Sequence, residues 1–302
     1  MHSTNPQTAP QIVYVTDRGL IRPTLISAWS LLRHISVAPD IHIWGDGLTE
    51  DDWSGVARVI ASRPDAKLHR LDLGADDMAG ARRLSDHISA AAMGRLHIPA
   101  KLGGRVLYID GDTIVTGDVA PLFDIDMRGQ PLAAVRDYVV AKWQARGDLD
   151  KPRIRPRVAE LRRLMGDDIS GYFNSGVLLL DCDAIRAEPA LLAAMGDVAR
   201  ASACPWGDQD HLNNVFAGRV HHLNAAWNDS WGRTPRQRRF SAAIGGTGDE
   251  TAKRPSAIVH FHGPKKPWKA PRRDLWSQRA RAAWRYRRDM ADFLKAFPDL
   301  QP

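Results

Sequence analysis

The chain is expected to fold as an α/β protein on a mostly parallel central sheet, and three observations carry that expectation. The first half alternates short, β-rich apolar runs with helical patterns. The most continuous of these runs, residues 105–109 (RVLYI), is followed at once by Asp110, as a strand delivering a polar group to its carboxyl edge would be. No internal repeat and no Pro/Gly/Ser-rich linker divides the 302 residues into independent units.

In chain order, the β-branched residues 12–16 (IVYVT) predict a first buried strand. The spacing of Leu25, Trp29 and Leu32 predicts a helix after it. Residues 41–44 (IHIW) predict a second strand, and Thr49 with Asp52 three residues on forms a capping box that opens a helix to about residue 60. Residues 67–71 read as a third strand, 85–98 as a helix ended by Pro99, and 105–109 as a fourth strand. A strand follows at 132–135. Residues 141–168, basic and interrupted by prolines, read as a mobile segment over a site. Residues 172–180 (YFNSGVLLL) predict a strand leading into a helix over 184–199, 208–216 a further helix, and the polar stretch 233–255 a flexible loop.

Composition narrows the class. With 44% hydrophobic and 25% charged residues the chain is globular, and its length supports a core that needs no disulfide or zinc staple. The two cysteines, Cys182 and Cys204, stand in no metal-binding or disulfide spacing and point to a reducing cytoplasm. Residues 1–10 carry no basic and apolar leader pattern, so no secretory signal is expected. Apolar runs such as 177–180 are too short to cross a bilayer, so any membrane contact is expected to be peripheral.

The chemistry concentrates after the fourth strand. Asp110 and Asp112, separated by Gly111, place two carboxylates where one divalent cation can be shared, and such a cation completes its shell with substrate phosphates. The same spacing recurs at Asp124/Asp126, Asp148/Asp150, Asp181/Asp183 and Asp208/Asp210. Only Asp181/Asp183 also follows an apolar strand, and Asp183 there reads as a helix cap. A third ligand is available in residues 258–268 (IVHFHGPKKPW), which offer His260 and His262 with Lys265 and Lys266. An imidazole beside carboxylates favours Mn²⁺ over Mg²⁺, and the lysines suit a diphosphate.

Five blocks in register resemble the family 8 glycosyltransferases, a group of retaining enzymes that includes bacterial lipopolysaccharide galactosyl- and glucosyltransferases and glycogenin. They are residues 12–17, Gly94-Arg-Leu96, residues 106–112, residues 172–177 with 208–213, and residues 260–268. The resemblance implies a GT-A fold over residues 11–268, between a polar tail (1–10) and a basic, Trp-bearing helical tail (269–302). It further implies a UDP-galactose or UDP-glucose donor, Mn²⁺ with Mg²⁺ as the alternative, and a saccharide acceptor that is lipid-linked in some relatives. By position, Asp110, Asp112 and His260 are the implied metal ligands. Val15, Thr16 and Asp17 fall at the uracil and ribose, with Gly111 inside the metal motif. Gly263 and Lys266 fall at the diphosphate. Arg95, Asp137, Asn174, Ser175 and Asp208 fall at the donor sugar, and Gln209 lies near the anomeric carbon. Asp208 and Gln209 are the implied catalytic pair. With no evident nucleophile, the expected chemistry is front-face transfer with retention.

From Lys265 to Arg288 ten basic residues alternate with Trp268, Trp276, Trp284 and Tyr286, opposed only by Asp274. That pattern suits either an anionic membrane surface or a helix packing its rings on the domain. Peripheral attachment at the inner face of the cytoplasmic membrane is the corresponding location. The net charge of +7 raises nucleic-acid binding as a rival. Carboxylates at strand ends speak against it, since without a metal they repel phosphate, and no nucleic-acid partner is expected. The other rivals are a catalytically silent nucleotide-sugar binder and a metal-dependent nucleotidyltransferase.

Overall fold

A computed structural model of the chain describes residues 9–81, 90–269 and 276–300. The first strand, β1 (Gln11–Asp17), is followed by α1 (Ile21–His34), β2 (Asp40–Asp46), α2 (Glu50–Ala61) and β3 (Lys67–Asp72). Thr49 and Asp52 form the expected capping box of α2. Residues 82–89, where the helix reading over 85–98 begins, lie outside the described residues. From Ala90 to His97 the chain is a 3₁₀ helix, and α3 (Ile98–Lys101) follows. Pro99 opens α3 rather than ending a helix, because the first turn needs no N–H from it.

Next come β4 (Arg105–Ile109), β5 (Thr113–Val115) and β6 (Leu132–Arg136). Residues 141–168, expected as a mobile segment, are largely helical, in α4 (Tyr138–Ala145) and α5 (Arg155–Met165). Asp137 caps α4 by accepting from Val139 N and Val140 N, and Pro156 sits in the opening turn of α5, where proline is tolerated. Val140, Ile154, Val158, Leu161, Ile169 and Tyr172 bind the two helices into a small core of their own.

After β7 (Phe173–Asp181) the single helix expected over 184–199 is three short ones, α6 (Cys182–Arg186), α7 (Pro189–Met195) and α8 (Val198–Ala203). Pro189 and the cap Asp197 restart the helix twice. Then follow α9 (Asp208–Val215), β8 (Val220–His222) and β9 (Asp229–Ser230). The stretch 233–255 is not a loop throughout, since it contains α10 (Thr234–Ala243), again opened by a proline. The chain closes with β10 (Ile258–His260) and α11 (Gln278–Ala296).

Seven strands form the central sheet in the order β3-β2-β1-β4-β7-β6-β8; β5, β10 and β9 form a second, small sheet. Of the central pairings, only those of β7 with β4 and β6 are antiparallel. Successive side chains of a strand alternate faces, and the core divides accordingly. Ile12, Tyr14, Leu107, Ile109 and Leu179 face α1, α2 and α11. Val13, Val15, Val106, Tyr108 and Leu178 face the 3₁₀ turn and the helices that follow β7.

The final helix packs inward through Ala282, Ala283, Tyr286 and Phe293. Tyr286 stands edge-on to Phe261 at 5.2 Å between ring centroids, and Phe293 meets Trp29 at 5.8 Å. Trp276 and Trp284 are not part of that packing and stay 88% and 58% exposed. Among the described residues no helix is long and apolar enough to cross a membrane.

Two histidines, His42 buried and His222 half-buried, make the fold acid-sensitive. Burial, with His69 stacked at 4.4 Å, lowers the pKa of His42 from 6.5 to about 4, and burial lowers that of His222 to about 3. Between the unfolded and folded values the unfolded chain binds more protons, so stability falls as pH drops from about 6.5 toward 4. Each pH unit of displacement is worth about 1.4 kcal/mol. A melting series from pH 7 to 4 is therefore expected to fall steeply, and less steeply in His42→Gln; an unchanged slope would remove His42 as the cause.

Candidate functional site

β4 ends at the carboxyl edge of the sheet, and the turn to β5 holds Asp110, Gly111 and Asp112. Two neighbours close over that turn. β7 runs antiparallel to β4, and the Asp110 N–H donates to the Gly176 carbonyl at 2.8 Å. β10 runs antiparallel to β5 with His260 opposite Thr113. Register alone thus carries a histidine far along the chain onto the aspartate pair, and the ligand atoms of Asp110, Asp112 and His260 all lie within 4.8 Å of one another.

The His260 ring is set by a relay that starts in the backbone. The Gly176 N–H donates to Asn174 Oδ1 at 3.1 Å, which fixes that amide. Asn228 Nδ2 donates to the same oxygen at 2.9 Å, so Asn228 Oδ1 faces His260 Nδ1, 3.0 Å away, and accepts its proton. In the neutral imidazole, Nε2 then carries the lone pair, and it points at Asp112 Oδ1 (3.1 Å) and Asp110 Oδ2 (3.6 Å). A lone pair among carboxylate oxygens is a donor set for a cation, and an outer hydrogen bond that fixes the tautomer is the usual support of a ligating histidine. The residues present therefore fit a divalent ion. His262 is directed elsewhere: its Nε2 lies 2.6 Å from Ser230 Oγ, and burial, then His260, holds its pKa well below the usual value.

Two cations offset part of the negative charge in the site. Arg95, buried, reaches Asp110 at 3.0 Å and Asp208 at 3.2 Å, and its plane lies 4.3 Å over the Tyr108 ring. Lys266 pairs with Asp112. Burial works against the Asp112 charge, but Lys266 and His260 more than offset it and hold the carboxyl well below the ordinary range. Asp208 and Asp137 are the reverse case. Burial raises both, opposed by Arg95 at Asp208 and by the Val140 and Val139 N–H groups at Asp137.

These residues surround one cavity of about 390 Å³. Val15, Thr16 and Asp17 enter from the end of β1, Asp110, Gly111 and Asp112 from β4, and Gly263 and Lys266 from the turn after β10. Arg95, Asp137, Asn174, Ser175, Asp208 and Gln209 complete its lining. There the Gln209 amide is fixed at both ends. Its Oε1 accepts from Asn174 Nδ2 (2.9 Å) and Ser175 N (3.2 Å), and its Nε2 donates to the Tyr172 hydroxyl (3.1 Å). The rival pair Asp181/Asp183 lies at the other end of the sheet, opposite Arg105, where Asp181 rather than Asp183 caps a helix.

Sequence reasoning did not find Asn228, Gly176, or the Tyr172–Asp210–Arg157 group behind Gln209. The Tyr172 hydroxyl donates to Asp210 Oδ1 at 2.6 Å, and Arg157 pairs with the same carboxylate. Asp210 had signalled itself through its spacing from Asp208, and Tyr172 and Gly176 lie in the block 172–177 with no role of their own assigned there; no local pattern marks Asn228 or Arg157.

The chain is similar to several known proteins. The profile of Glycosyl transferase family 8 matches residues 11–271. General stress protein A of Bacillus subtilis is 27% identical over 63% of this chain and 64% of its own length. The lipopolysaccharide 1,2-glucosyltransferase of Escherichia coli is 24% identical over 54% of this chain and 44% of its own. The chain thus spans less than two thirds of these two curated relatives. Among solved structures, the galactosyltransferase LgtC in complex with donor and acceptor sugar analogues superposes with a TM-score of 0.71, at 24% identity, over 93% of this chain and 95% of that one. The mixed sheet and its flanking helices are accordingly a GT-A fold. A carboxylate pair at the edge of that fold, in a sequence matched by the family profile almost from end to end of its sheets, places this chain in glycosyl transferase family 8.

Proposed function

We propose that the chain is a metal-dependent, retaining hexosyltransferase that moves galactose or glucose from a UDP-sugar to a saccharide acceptor. The observation that carries this reading is the convergence of Asp110, Asp112 and a tautomer-fixed His260, with Lys266, on one cavity of about 390 Å³. A divalent cation held by Asp110, Asp112 and His260 supplies Lewis-acid neutralisation of the diphosphate leaving group. Val15, Thr16 and Asp17 bind uracil and ribose. The turn at Gly263, whose φ of +86° suits glycine, brings backbone and the Lys266 ammonium to the diphosphate.

Arg95, Asp208, Asp137, Asn174 and Ser175 hold the sugar hydroxyls, and Gln209 sits beside the anomeric carbon. The bond from that carbon to the UDP oxygen breaks and the acceptor hydroxyl attacks from the same face, its proton passing to the departing phosphate oxygen. Asp208 is a less favourable nucleophile, since Arg95 and Ser175 Oγ (3.2 Å) both engage its Oδ2. A covalent sugar on Asp208 in a slowed variant would overturn front-face transfer.

The deciding experiment is the melting temperature with UDP, with Mn²⁺, and with both. A ligand that binds only the native state stabilises by mass action, and a shared site predicts a shift with both that exceeds the sum of the two alone. A merely additive result sinks the shared site. Release of free UDP from UDP-galactose or UDP-glucose then identifies the donor and excludes a nucleotidyltransferase.

The tail adds a location. Trp276 and Trp284 are exposed beside Arg281, Arg285 and Arg288, a pairing that suits an anionic bilayer at the inner face of the cytoplasmic membrane and an acceptor that is lipid-linked. Because the same helix buries Tyr286 and Phe293, the clean test is Trp276→Ser with Trp284→Ser rather than truncation. The full chain is expected to pellet with phosphatidylglycerol vesicles and the double variant to remain in the supernatant; equal pelleting removes the membrane role.

A further inference from the structure

A second cavity, of about 410 Å³, adjoins the first, and Val139 lines both. One helix connects them. Asp137, the N-cap of α4, faces the donor cavity, and Val139, Lys142, Trp143 and Arg146 recur at helical spacing along α4 to line the second. At about 1.5 Å per residue, Lys142 and Arg146 lie about 5 and 10 Å beyond Val139, within reach of a sugar bound next to the donor.

This cavity is short of negative charge. Lys151 and Arg153 close it from the segment before α5, and its one carboxylate, Asp148, is spent on Lys151 at 2.6 Å. Among the described residues Lys142, Arg146 and Arg153 have no carboxylate within ion-pair distance, and Arg233, the residue that precedes α10, approaches with Ser230, the Tyr138 side chain and Asp229 as partners. Burial, then Arg146 and Arg233, lowers the pKa of Lys142, with Asp148 partly offsetting them. Cations on a flexible stem and a planar fork, beside the half-buried indole of Trp143, form a recognition surface for a pyranose that carries an anion.

Resting on the transferase reading above, we propose that this cavity is the acceptor subsite and that the acceptor is an anionic saccharide, its phosphate or carboxylate held by Lys142, Arg146 and Arg153. An anion at this place relieves the repulsion among the three cations and sets the acceptor hydroxyl toward the Asp137 and Gln209 wall.

Calorimetric titration of the full chain, with UDP and Mn²⁺ present, tests it with galactose, galactose 6-phosphate, glucuronate and inorganic phosphate. At least one of the two anionic sugars is expected to bind about tenfold or more tighter than galactose and than inorganic phosphate; which of them does so tells phosphate from carboxylate. Lys142→Ala with Arg153→Ala is expected to abolish that preference, and Lys142→Arg to keep it, both with the wild-type melting shift by UDP plus Mn²⁺. Equal binding of galactose, inorganic phosphate binding as tightly as either anionic sugar, or a double variant that keeps the preference overturns the subsite. Failure of the donor reading shows separately, as loss of the joint UDP and Mn²⁺ shift in the wild type, and then the cavity is no acceptor subsite.

Discussion

Asp112→Asn is expected to lower the rate of UDP release from the donor sugar by about two to three orders of magnitude, the usual effect of removing one preorganised electrostatic group from a reacting centre. The change keeps the shape of the side chain and deletes its charge. In the folded chain that charge faces the His260 Nε2 at 3.1 Å and pairs with Lys266, whose side chain is 8% exposed. Stability is therefore expected to fall as well, since stripping one member of a buried pair costs about 3–5 kcal/mol when the other charge stays buried. The two effects separate by measurement. Kinetics run well below the lowered melting temperature report the catalytic loss, and the joint stabilisation by UDP and Mn²⁺ is expected to disappear at the same time. A variant that turns over within tenfold of wild type has no metal at Asp112.

Gly176→Ala produces a comparable loss with no change in charge. A Cβ built at Gly176 would stand 2.2 Å from His260 Cε1 and 2.7 Å from Asp110 Oδ2. Neither can retreat freely, because the ring is held by Asn228 and the aspartate by Arg95. Overpacking of this kind costs about 1–3 kcal/mol, and displacing a reacting group by about 1 Å costs about a hundredfold in rate. Gly176→Ala is thus expected to fold, to melt lower, and to lose about two orders of magnitude in activity together with its response to Mn²⁺. Wild-type response to Mn²⁺ in that variant would mean that His260 is no ligand. Gly111 is constrained in the same way on the other side of the turn, where a Cβ would meet Thr24 Oγ1 at 2.1 Å.

How much of this could be read in advance depends on whether a residue's reason is local. The strands of the first half were legible because Ile12 to Val15 and Val106 to Ile109 are apolar on both faces, as buried strands must be. The aspartate pair was legible because it ends such a strand. Residues 141–168 misled, since prolines and positive charge read as a mobile segment over a site while Asp137 and Pro156 were serving as helix openers. Asn228 left no trace in the sequence and Gly176 only its place in the block 172–177, because their work depends on a β4–β7 register and on a side-chain relay that only the folded sheet creates.

The ladder that carries His260 to Thr113 joins strands separated by about 150 residues. Closing so long a loop is entropically costly, and contacts of high sequence separation form late in folding. During synthesis the aspartates emerge about 150 residues ahead of their third partner. A nascent or stalled fragment can hold the sheet β1 to β4 yet has no completed cation site, so ligand-dependent protection of the 110–113 turn from hydrogen exchange marks the finished molecule and no earlier species.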